Sequence, residues 1–345
     1  MKTNIDLKPY NTLQVACKAK YFVEIESTYQ LLQLLETAER NAEKHWILWW
    51  GSNTLFTSDF FDGVVVKMAI KGIKILNETD DQVLVQVGAG EDRDDFVRYS
   101  IEKRWWGIEN LISIPWKVGT SAVSNVWAYG QEASNALYEV IGVNTQTKSI
   151  QKLTNEECKF GYRKSIFKEE LKENFIITHC VFFLKKIKEG YDFNVEYWDI
   201  QKEFSAQHLA FDELDPVQKL KILTQTIAKI RERKLPDWRV VWTAGSYFKN
   251  PEIWLPQREA LQKKHPELKA FLQPNERMKL AAGQLIDLCG LKGYQEGNVK
   301  ISDQHALILI NLWGTWAEVK AFAEKVQDVV SKKFEIHLEP EVIYC

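Results

Sequence analysis

The stretch TAGSYFKNP, residues 243–251, places one hydroxyl where it could act on a substrate. Ser246 follows a glycine, which permits a bent backbone, and it precedes an aromatic pair and Lys249. A nucleophilic serine needs an adjacent base and an elbow of the form G-x-S-x-G, and AGSYF does not match that form. A serine can instead donate a proton to a developing carbanion. Taken alone, the stretch fits a loop serine that caps the turn better than either chemical role.

Two charged residues stand in similarly constrained contexts. Arg163, in CKFGYRKSIFK, follows a Gly-Tyr pair, and a guanidinium presented there would suit a carboxylate or a phosphate. A solvated basic face is equally consistent with that stretch. Glu341, in LEPEV, follows a proline in an otherwise apolar terminal segment, where a buried carboxylate needs a partner or a task. An exposed glutamate on an edge strand is the ordinary alternative.

Two glycine-bearing stretches could hold a phosphate group. They are GSN at 51–53 and IPWKVGTSAVSNVWAYG at 114–130, called below the first loop and the second loop. Small residues and free backbone amides can cradle a diphosphate, although ordinary turns have the same composition. Neither G-x-G-x-x-G nor a Walker loop occurs, which disfavours a Rossmann dinucleotide fold and a P-loop.

The elements that would position these residues alternate between helix and strand. Helical spacing or caps predict helices at 27–43, 91–102, 216–233 and about 257–268, and from Thr315. Apolar β-branched runs predict strands at 45–48, 63–69, 82–90, 174–186 and 305–311, a hairpin within 137–154, and a last strand over 335–345. A capping box is predicted at Thr154–Glu157. The first half therefore has an α+β pattern, and the second half that of a compact α/β module.

Bulk composition narrows the class of protein. The 345 residues carry 45 Lys and Arg against 47 Asp and Glu, which argues against a dedicated nucleic-acid binder. We expect no membrane partner and a cytoplasmic location, because no secretory leader and no apolar run of about 18 residues is evident. The five cysteines include no C-x-x-C pair, so neither a disulfide framework nor a metal site is expected. The anomaly is 13 Trp against only 17 Gly.

The short motifs gain meaning from their order. YNT, GSN, GIENL, IP..VG...SN..AYG, CKFGYRKSIFK, KLPD, AGSYFKNP, KLAAG.LID, HALILIN and LEPEV follow one another along nearly the whole chain. In this combination the chain resembles the UDP-N-acetylenolpyruvoylglucosamine reductases. The resemblance implies an α+β fold with an FAD-binding domain of the vanillyl-alcohol-oxidase (PCMH) type over 1–212, divided into subdomains of about 1–70 and 71–212. A C-terminal α/β substrate-binding domain would cover 213–345, and whether its last strand returns to the first domain stays open.

The resemblance also implies a function. NADPH would reduce FAD, and the enolpyruvyl group of a UDP-sugar would be reduced in turn, a cytoplasmic step of peptidoglycan precursor synthesis carried out by a monomer. Ser246 would be the proton donor, and Arg163 and Glu341 would stabilise the developing negative charge. The positions that match cofactor-binding residues are Gly51, Ser52, Asn53, Gly119, Ser121, Asn125, Tyr129 and Gly130. Those that match substrate-binding residues are Tyr197, Lys234, Asn250 and Lys279.

The tryptophans mark where this chain departs from the resemblance. Trp49 and Trp50 replace two glycines before GSN, and Trp116 and Trp127 do the same in the second loop. Glycine at such positions permits a positive φ or a close approach of the backbone to a cofactor, which tryptophan does not. A second hypothesis therefore stays open: a protein of the same fold whose flavin site is blocked and which at most binds a UDP-sugar. Other departures are Trp106, Trp198, Trp242, Lys117, Ala122 and Ser124.

Overall fold

A computed structural model describes residues 1–40, 44–49, 51–188, 193–237, 239–273 and 275–345, with the side chains of 38–40 set aside. Trp50 and the last three residues of the helix expected at 27–43 lie outside these ranges. Within them, no helix is both long and apolar enough to cross a bilayer.

The chain divides into two compact units. The first unit consists of residues 1–3, 20–50 and 62–233, and the second of residues 4–19, 51–61 and 234–345. The division falls after residue 233 in the second half of the chain. The family resemblance implies a domain boundary after residue 212.

The strands are β1 Lys2–Asp6, β2 Lys18–Ile25, β3 His45–Leu48, β4 Thr54–Leu55, β5 Phe60–Met68, β6 Ile73–Glu78, β7 Gln82–Gly88, β8 Trp105–Trp106, β9 Trp127–Ala128, β10 Gln131–Glu132, β11 Leu137–Asn144, β12 Ser149–Thr154, β13 Phe175–Lys186, β14 Thr243–Ser246, β15 Glu252–Ile253, β16 Ala270–Leu272, β17 Met278–Leu280, β18 Gln295–Glu296, β19 Val299–Ile301, β20 Ile308–Asn311 and β21 Ile343–Tyr344. The α-helices are α1 Thr28–Arg40, α2 Arg93–Glu102, α3 Val118–Val123, α4 Trp198–Ala206, α5 Pro216–Lys234, α6 Leu255–Lys264, α7 Ala282–Leu288 and α8 Trp316–Phe334.

The first unit is built on an antiparallel sheet in the order β12-β11-β13-β7-β6, with β8 also paired to β13. Strand β13 (FIITHCVFFLKK) is buried along most of its length, which accounts for its nearly continuous apolar run. Helices α1 and α3 pack against strands of this sheet. The principal hydrophobic core of the described residues lies in this unit and includes Phe96, Phe182 and Ile200. A rigid sheet thus supports the second loop, which contains α3.

The second unit contains an antiparallel sheet in the order β14-β20-β19-β18 and a small sheet in the order β15-β17-β16. Helix α8 presents Val319, Phe322, Val326 and Val330 at helical spacing, and all four side chains are buried. The last strand, β21, pairs in parallel with β4, and both belong to this unit. The carboxyl end of the chain is therefore joined to the segment that directly follows the first loop.

Two predicted helix starts are confirmed. At α5, Asp215 Oδ1 accepts hydrogen bonds from the backbone N–H groups of Val217 (2.9 Å) and Gln218 (3.0 Å). At α8, Thr315 and Glu318 form a complete capping box. In both cases the cap satisfies amides that the helix leaves unpaired, so the local sequence alone determines the start.

The capping box predicted at Thr154–Glu157 forms without a helix. Glu157 Oε2 accepts from the Thr154 N–H at 2.8 Å, and the Glu157 N–H donates to Thr154 Oγ1 at 3.4 Å. The chain then turns, because Lys159 has a φ of +49°, a left-handed conformation that ends a right-handed helix. The reciprocal bonds therefore stabilise a turn.

Two other elements differ from the sequence pattern. The terminal segment predicted as a strand over 335–345 pairs as one only at Ile343–Tyr344. Pro340, within it, lacks the N–H that a continuous strand would need, and its contribution is an isolated bridge to Phe248. Helix α4 was not predicted, because the apolar pattern around it is weak.

Candidate active site

Ser246 lies at the exposed end of β14, directly after Gly245, whose φ is +73°. The two residues that follow, Tyr247 and Phe248, are completely buried. The Tyr247 N–H donates to the Leu307 carbonyl at 2.8 Å. The buried rings of Tyr247 and Phe248 therefore fix the segment to the interior. Gly245 allows the bend that leaves the Ser246 hydroxyl at the surface.

The segment after Ser246 runs beside the one that contains Glu341. The Glu341 N–H donates to the Tyr247 carbonyl at 2.8 Å, and the Lys249 N–H donates to the Glu339 carbonyl at 2.9 Å. Glu341 is half-buried. Glu341 therefore pairs with Tyr247, the residue directly after Ser246. The structure thus places the segments that contain Ser246 and Glu341 side by side in the second unit.

The first loop adjoins the same segment. Asn53 Nδ2 donates to the Glu341 carbonyl at 3.1 Å, and the Ile343 N–H donates to the Asn53 carbonyl at 2.9 Å. Asn53 therefore acts as a structural link between GSN and the carboxyl-terminal segment, in addition to its predicted role at the cofactor.

Gly51 could not be another residue in this conformation. Its φ is +69°, and an added Cβ would lie 1.9 Å from the Tyr10 carbonyl oxygen. The Thr12 N–H donates to the Gly51 carbonyl at 3.1 Å. The motifs YNT and GSN, far apart in sequence, therefore pack backbone against backbone, which explains why both belong to one pattern.

The first loop retains unused donors. No described residue accepts a hydrogen bond from the backbone N–H groups of Gly51, Ser52 or Asn53. Beside them, the buried Oγ1 of Thr12 has no hydrogen-bond partner within the part of the chain that the structure describes. Consecutive amides and a hydroxyl, none of which has a hydrogen-bond partner among the described residues, fit an anionic group such as the diphosphate of FAD.

Arg163 occupies a tight turn in the first unit. The N–H groups of Gly161 and Lys164 each donate to the carbonyl of the other, at 3.2 and 3.0 Å, and Arg163 between them has a φ of +55°. A non-glycine residue in this conformation requires support from its surroundings. Asn125 Nδ2 supplies part of it by donating to the Gly161 carbonyl at 3.0 Å. The arginine turn is thus attached to the second loop.

The end of the second loop is held in left-handed conformations by two asparagines. Tyr129 and Gly130 have φ values of +48° and +81°. Asn110 Nδ2 donates to the Tyr129 carbonyl at 2.8 Å, and Asn194 Nδ2 donates to the Gly130 carbonyl at 2.8 Å. Asn194 lies where a Cβ on residue 130 would have to be, 2.6 Å away, so only glycine fits. The packing of Asn194 against the backbone therefore requires the glycine of the AYG motif.

An aromatic cluster includes the predicted substrate residue Tyr197. Its ring lies 5.1 Å from the ring of Tyr129 and 6.0 Å from that of Trp127, both edge to face. Burial raises the pKa of Tyr129 to about 12, so its hydroxyl stays protonated at neutral pH. Trp127, one of the tryptophans that depart from the family resemblance, therefore contributes an edge-to-face contact to the surroundings of Tyr197.

Trp49 occupies the space in front of Gly119. An added Cβ on Gly119 would lie 2.4 Å from Trp49 Cζ3 and 2.9 Å from Trp49 Cη2, so the indole edge packs on the glycine. The amides at this turn are also in use, because the Val118 N–H donates to the Glu91 carbonyl and the Gly119 N–H to the Ala89 carbonyl. A nucleotide would fit against Gly119 only if Trp49 moved away. The residues present thus fit FAD at the first loop but not at Gly119.

Ser121 faces a residue that the sequence analysis missed. Its Oγ accepts a long hydrogen bond, 3.4 Å, from Nη1 of Arg93, which is completely buried in the first turn of α2. A sequence signal was present, since Arg93 precedes the buried Phe96 and Val97 by three and four residues, on the apolar face of the helix. A charge on that face calls for a partner.

Two predicted substrate residues of the second unit, Asn250 and Lys279, lie at its small sheet. Asn250 Oδ1 accepts from the Ala282 N–H at 3.0 Å, at the start of α7, and Lys279 pairs with Glu252 across β15 and β17. Burial lowers the pKa of His305, and the charge of Lys234 lowers it further. Lys234 therefore lies close enough to His305 for its positive charge to disfavour protonation of the imidazole.

Comparison with known proteins decides the family. A model of the UDP-N-acetylenolpyruvoylglucosamine reductase C-terminal domain matches residues 236–345, and a model of an FAD binding domain matches residues 19–144. A UDP-N-acetylenolpyruvoylglucosamine reductase of Chromobacterium violaceum is 39% identical over 99% of this chain and 97% of that protein. One of Flavobacterium johnsoniae is 37% identical over 99% of this chain and 98% of that protein. The chain belongs to this reductase family.

As a member of the reductase family, the chain is a flavin-dependent oxidoreductase. Solved structures agree on the fold. The reductase of Thermus caldophilus superposes with a TM-score of 0.69 at 23% identity, covering 99% of this chain and 97% of that one. A p-cresol methylhydroxylase superposes with a TM-score of 0.52 at 12% identity, covering 98% and 85%. The predicted α+β architecture with a PCMH-type FAD domain is thereby confirmed.

Proposed function

We propose that this reductase converts UDP-N-acetylglucosamine enolpyruvate to UDP-N-acetylmuramate, with NADPH as reductant of FAD, in the supply of peptidoglycan precursors. The observation that supports the proposal is the backbone pairing of residues 247–249 with 339–341, which joins the segment directly after Ser246 to the segment that contains Glu341. These two segments, whose residues the family resemblance assigns to one reaction, lie far apart in sequence.

When bound, FAD supplies the hydride, which it receives from NADPH. The protein must then provide a proton for the substrate carbon that carries the carboxylate. Ser246 suits this task, because its hydroxyl is exposed while Tyr247 and Phe248 fix the backbone behind it. A proton donor at a fixed position needs no catalytic triad, which agrees with the absence of an elbow motif around it.

Arg163 and Glu341 would control the charge of the substrate carboxylate. The left-handed turn at Arg163 and its link through Asn125 fix the direction from which the guanidinium leaves the backbone. A positioned guanidinium stabilises the negative charge that builds up on the substrate carboxylate before the adjoining carbon is protonated. For the UDP group we propose Tyr197, Lys234, Asn250 and Lys279.

The contact of Trp49 with Gly119 supports a second candidate. In it, the indole remains in place, the flavin is excluded, and the protein at most binds a UDP-sugar. The amides of residues 51–53, which have no partner among the described residues, favour the reductase, whereas the filled space at Gly119 favours the second candidate.

Flavin uptake discriminates between the two candidates. The purified protein is incubated with excess FAD, freed of unbound FAD by gel filtration, and its visible absorbance is recorded before and after NADPH is added without oxygen. The reductase proposal predicts a bound flavin band that NADPH bleaches. A colourless protein that still binds the UDP-sugar would support the second candidate and contradict the first.

A further inference from the structure

Arg93 carries a charge that the described residues do not neutralise. Its side chain is fully buried, and its Nε has no hydrogen-bond partner in the described parts of the chain. The two remaining contacts are long, 3.4 Å from Nη1 to Ser121 Oγ and 3.4 Å from Nη2 to the Ile114 carbonyl. No carboxylate of the described residues forms an ion pair with it. A buried arginine normally has such a partner.

A second buried guanidinium lies on the same backbone segment. Arg231 Nε donates to the Ser113 carbonyl at 3.1 Å, next to the Ile114 carbonyl that Arg93 contacts. The two side chains come from different elements, α5 and α2, and converge on consecutive carbonyl groups. Burial lowers the pKa of Arg93, and the charges of Arg231 and Arg163 lower it further. Each positive charge thus makes the other less favourable.

The acidic groups nearby do not balance this pair. Asp94 is the carboxylate that opposes both charges at longer range. Its own oxygens are already used, since Oδ1 accepts from the Ser113 N–H and Oδ2 from Arg98 Nε. The Trp116 ring lies 5.2 Å from the Arg93 guanidinium. A cation–π contact recovers only a small part of the free energy lost on burying an unpaired charge.

We propose that Arg93 and Arg231 form a binding site for a small oxyanion, a phosphate or a carboxylate, beside Ser121 and the carbonyl groups of residues 113–114. The free Nε of Arg93 and the Ser121 hydroxyl supply donors, and the second guanidinium supplies charge. Trp116 is partly buried and its ring contacts the Arg93 guanidinium, so we take it as the side chain that would move to admit the anion. Ser121, Ile114 and Trp116 belong to the second loop, part of which the family resemblance assigns to FAD, so the experiment has to separate a free anion from FAD.

The oxyanion can come from two sources, a free anion or an acidic group of a larger ligand. Thermal unfolding is followed by fluorescence in sodium chloride, and in inorganic phosphate, pyruvate or FAD at matched ionic strength. Three proteins are compared: the wild type, Arg93→Met, and the control Arg98→Met, which removes an exposed arginine of the same helix α2. Calorimetric titration with each ligand gives the affinity directly.

We expect at least one of the three ligands to raise the melting temperature of the wild type and of Arg98→Met by about 3 °C or more, with saturation. Arg93→Met should melt higher than the wild type in chloride and should show no response to that ligand. A response to phosphate or pyruvate indicates a free anion, whereas a response to FAD alone assigns the site to the nucleotide. Because phosphate and pyruvate need no bound flavin, a protein that takes up no FAD can still satisfy the proposal.

Two results would overturn the site. One is a wild type that responds to none of the three ligands, and the other is an Arg93→Met protein that responds as strongly as the wild type. Should Arg93→Met fail to fold, Arg93→Lys replaces it: this change keeps the charge but removes the planar pair of donors. The site predicts an affinity at least about tenfold weaker for Arg93→Lys, equivalent to one step of about 1.4 kcal/mol, and an unchanged affinity contradicts it.

Discussion

Trp49 and Gly119 illustrate how one side chain can decide whether a cofactor site is usable. Around Gly119 the backbone keeps the hydrogen bonds to residues 89 and 91 that fix the turn. The glycine is still needed, yet its open face is covered by an indole from the end of β3. The conformation suited to a cofactor is thus preserved, while the space beside it is filled.

Removing this indole should open the site. We expect Trp49→Ala to bind FAD at least about tenfold more tightly than the wild type, because the wild type must first displace a packed side chain. Titration of FAD fluorescence measures the change. Trp313→Ala is the control, since Trp313 is 75% exposed and belongs to the other unit. Equal affinities for Trp49→Ala and the wild type would show that Trp49 does not obstruct the cofactor.

Arg93 leads to a prediction about pH. Burial and neighbouring positive charges lower its pKa to about 9, well below that of an exposed arginine. Above pH 9 the unfolded chain therefore binds more protons than the folded chain, so the cost of burying the charge declines as the pH rises. Below about pH 9 this cost is present in full. Arg93→Met should accordingly raise the free energy of unfolding by about 1–4 kcal/mol at pH 7.

The same substitution should give a smaller gain at about pH 10. Urea unfolding at a series of pH values from about 7 to about 10, in chloride and without other anions, provides the measurement. Arg98→Met should show little change at any of these values, because exposed ion pairs contribute little. A gain for Arg93→Met that is constant or increases with pH would contradict the assignment of a buried charge.

For the individual residues, the sequence indicated the candidate active site only in part. Ser246, Arg163 and Glu341 each had an ordinary structural explanation, and the family resemblance was what joined them. The structure shows that the segment after Ser246 pairs with the segment that contains Glu341, and no local sequence pattern encodes pairing between such distant segments. Arg93 was detectable from its position among apolar residues of a helix, but its missing partner is a property of the packed fold.

Among the elements, those with local signals were predictable. Helices α5 and α8 begin at caps whose hydrogen bonds involve only neighbouring residues. Strand β13 was evident from its apolar run. The turn at Thr154–Glu157 shows the limit, because the same local bonds form and the helix does not follow. What decides between turn and helix there is the left-handed Lys159, and the sequence does not reveal it.

The first loop permits a test of packing at the element scale. Gly51 and Gly290 have φ values of +69° and +72°, but an added Cβ would collide with Tyr10 only at Gly51, and Gly290 faces open space. We expect Gly290→Ala to cost about 1–2 kcal/mol of unfolding free energy for the left-handed backbone alone. Gly51→Ala should cost about 2–5 kcal/mol, because steric overlap is added. Denaturant unfolding of both variants measures the difference.

Equal losses for Gly51→Ala and Gly290→Ala would mean that the contact between the first loop and Tyr10 is absent in solution. Backbone packing between YNT and GSN would then not be the reason that the two motifs occur together.

For the whole molecule, the second unit is assembled from three stretches of chain. Residues 4–19 and 51–61 contribute to it together with residues 234–345. The buried Asn311 donates to the Leu13 carbonyl at 2.7 Å, and β21 needs β4 as its partner. The family model of the C-terminal domain matches residues 236–345. It therefore leaves out the two short stretches, residues 4–19 and 51–61, that complete the structural unit.

A fragment of residues 234–345 should consequently not fold on its own. Without Leu13 and β4 it would expose an unpaired buried amide and an unpaired strand edge. Circular dichroism during heating should show no cooperative transition for the fragment, in contrast to the full chain. A cooperative transition with a native-like spectrum would show that the two short stretches are dispensable.

Proton donation by Ser246 is the central claim, and single-turnover absorbance of the flavin tests it most directly. The protein loaded with FAD is reduced by NADPH without oxygen and then mixed with the enolpyruvyl UDP-sugar. We predict that Ser246→Ala is reduced at the rate of the wild type and of the control Ser205→Ala, an exposed serine on α4. Its reoxidation by the substrate should be slower by about a hundredfold or more. Reoxidation of Ser246→Ala at the rate of the wild type, or an equal slowing of both half-reactions, would contradict the account.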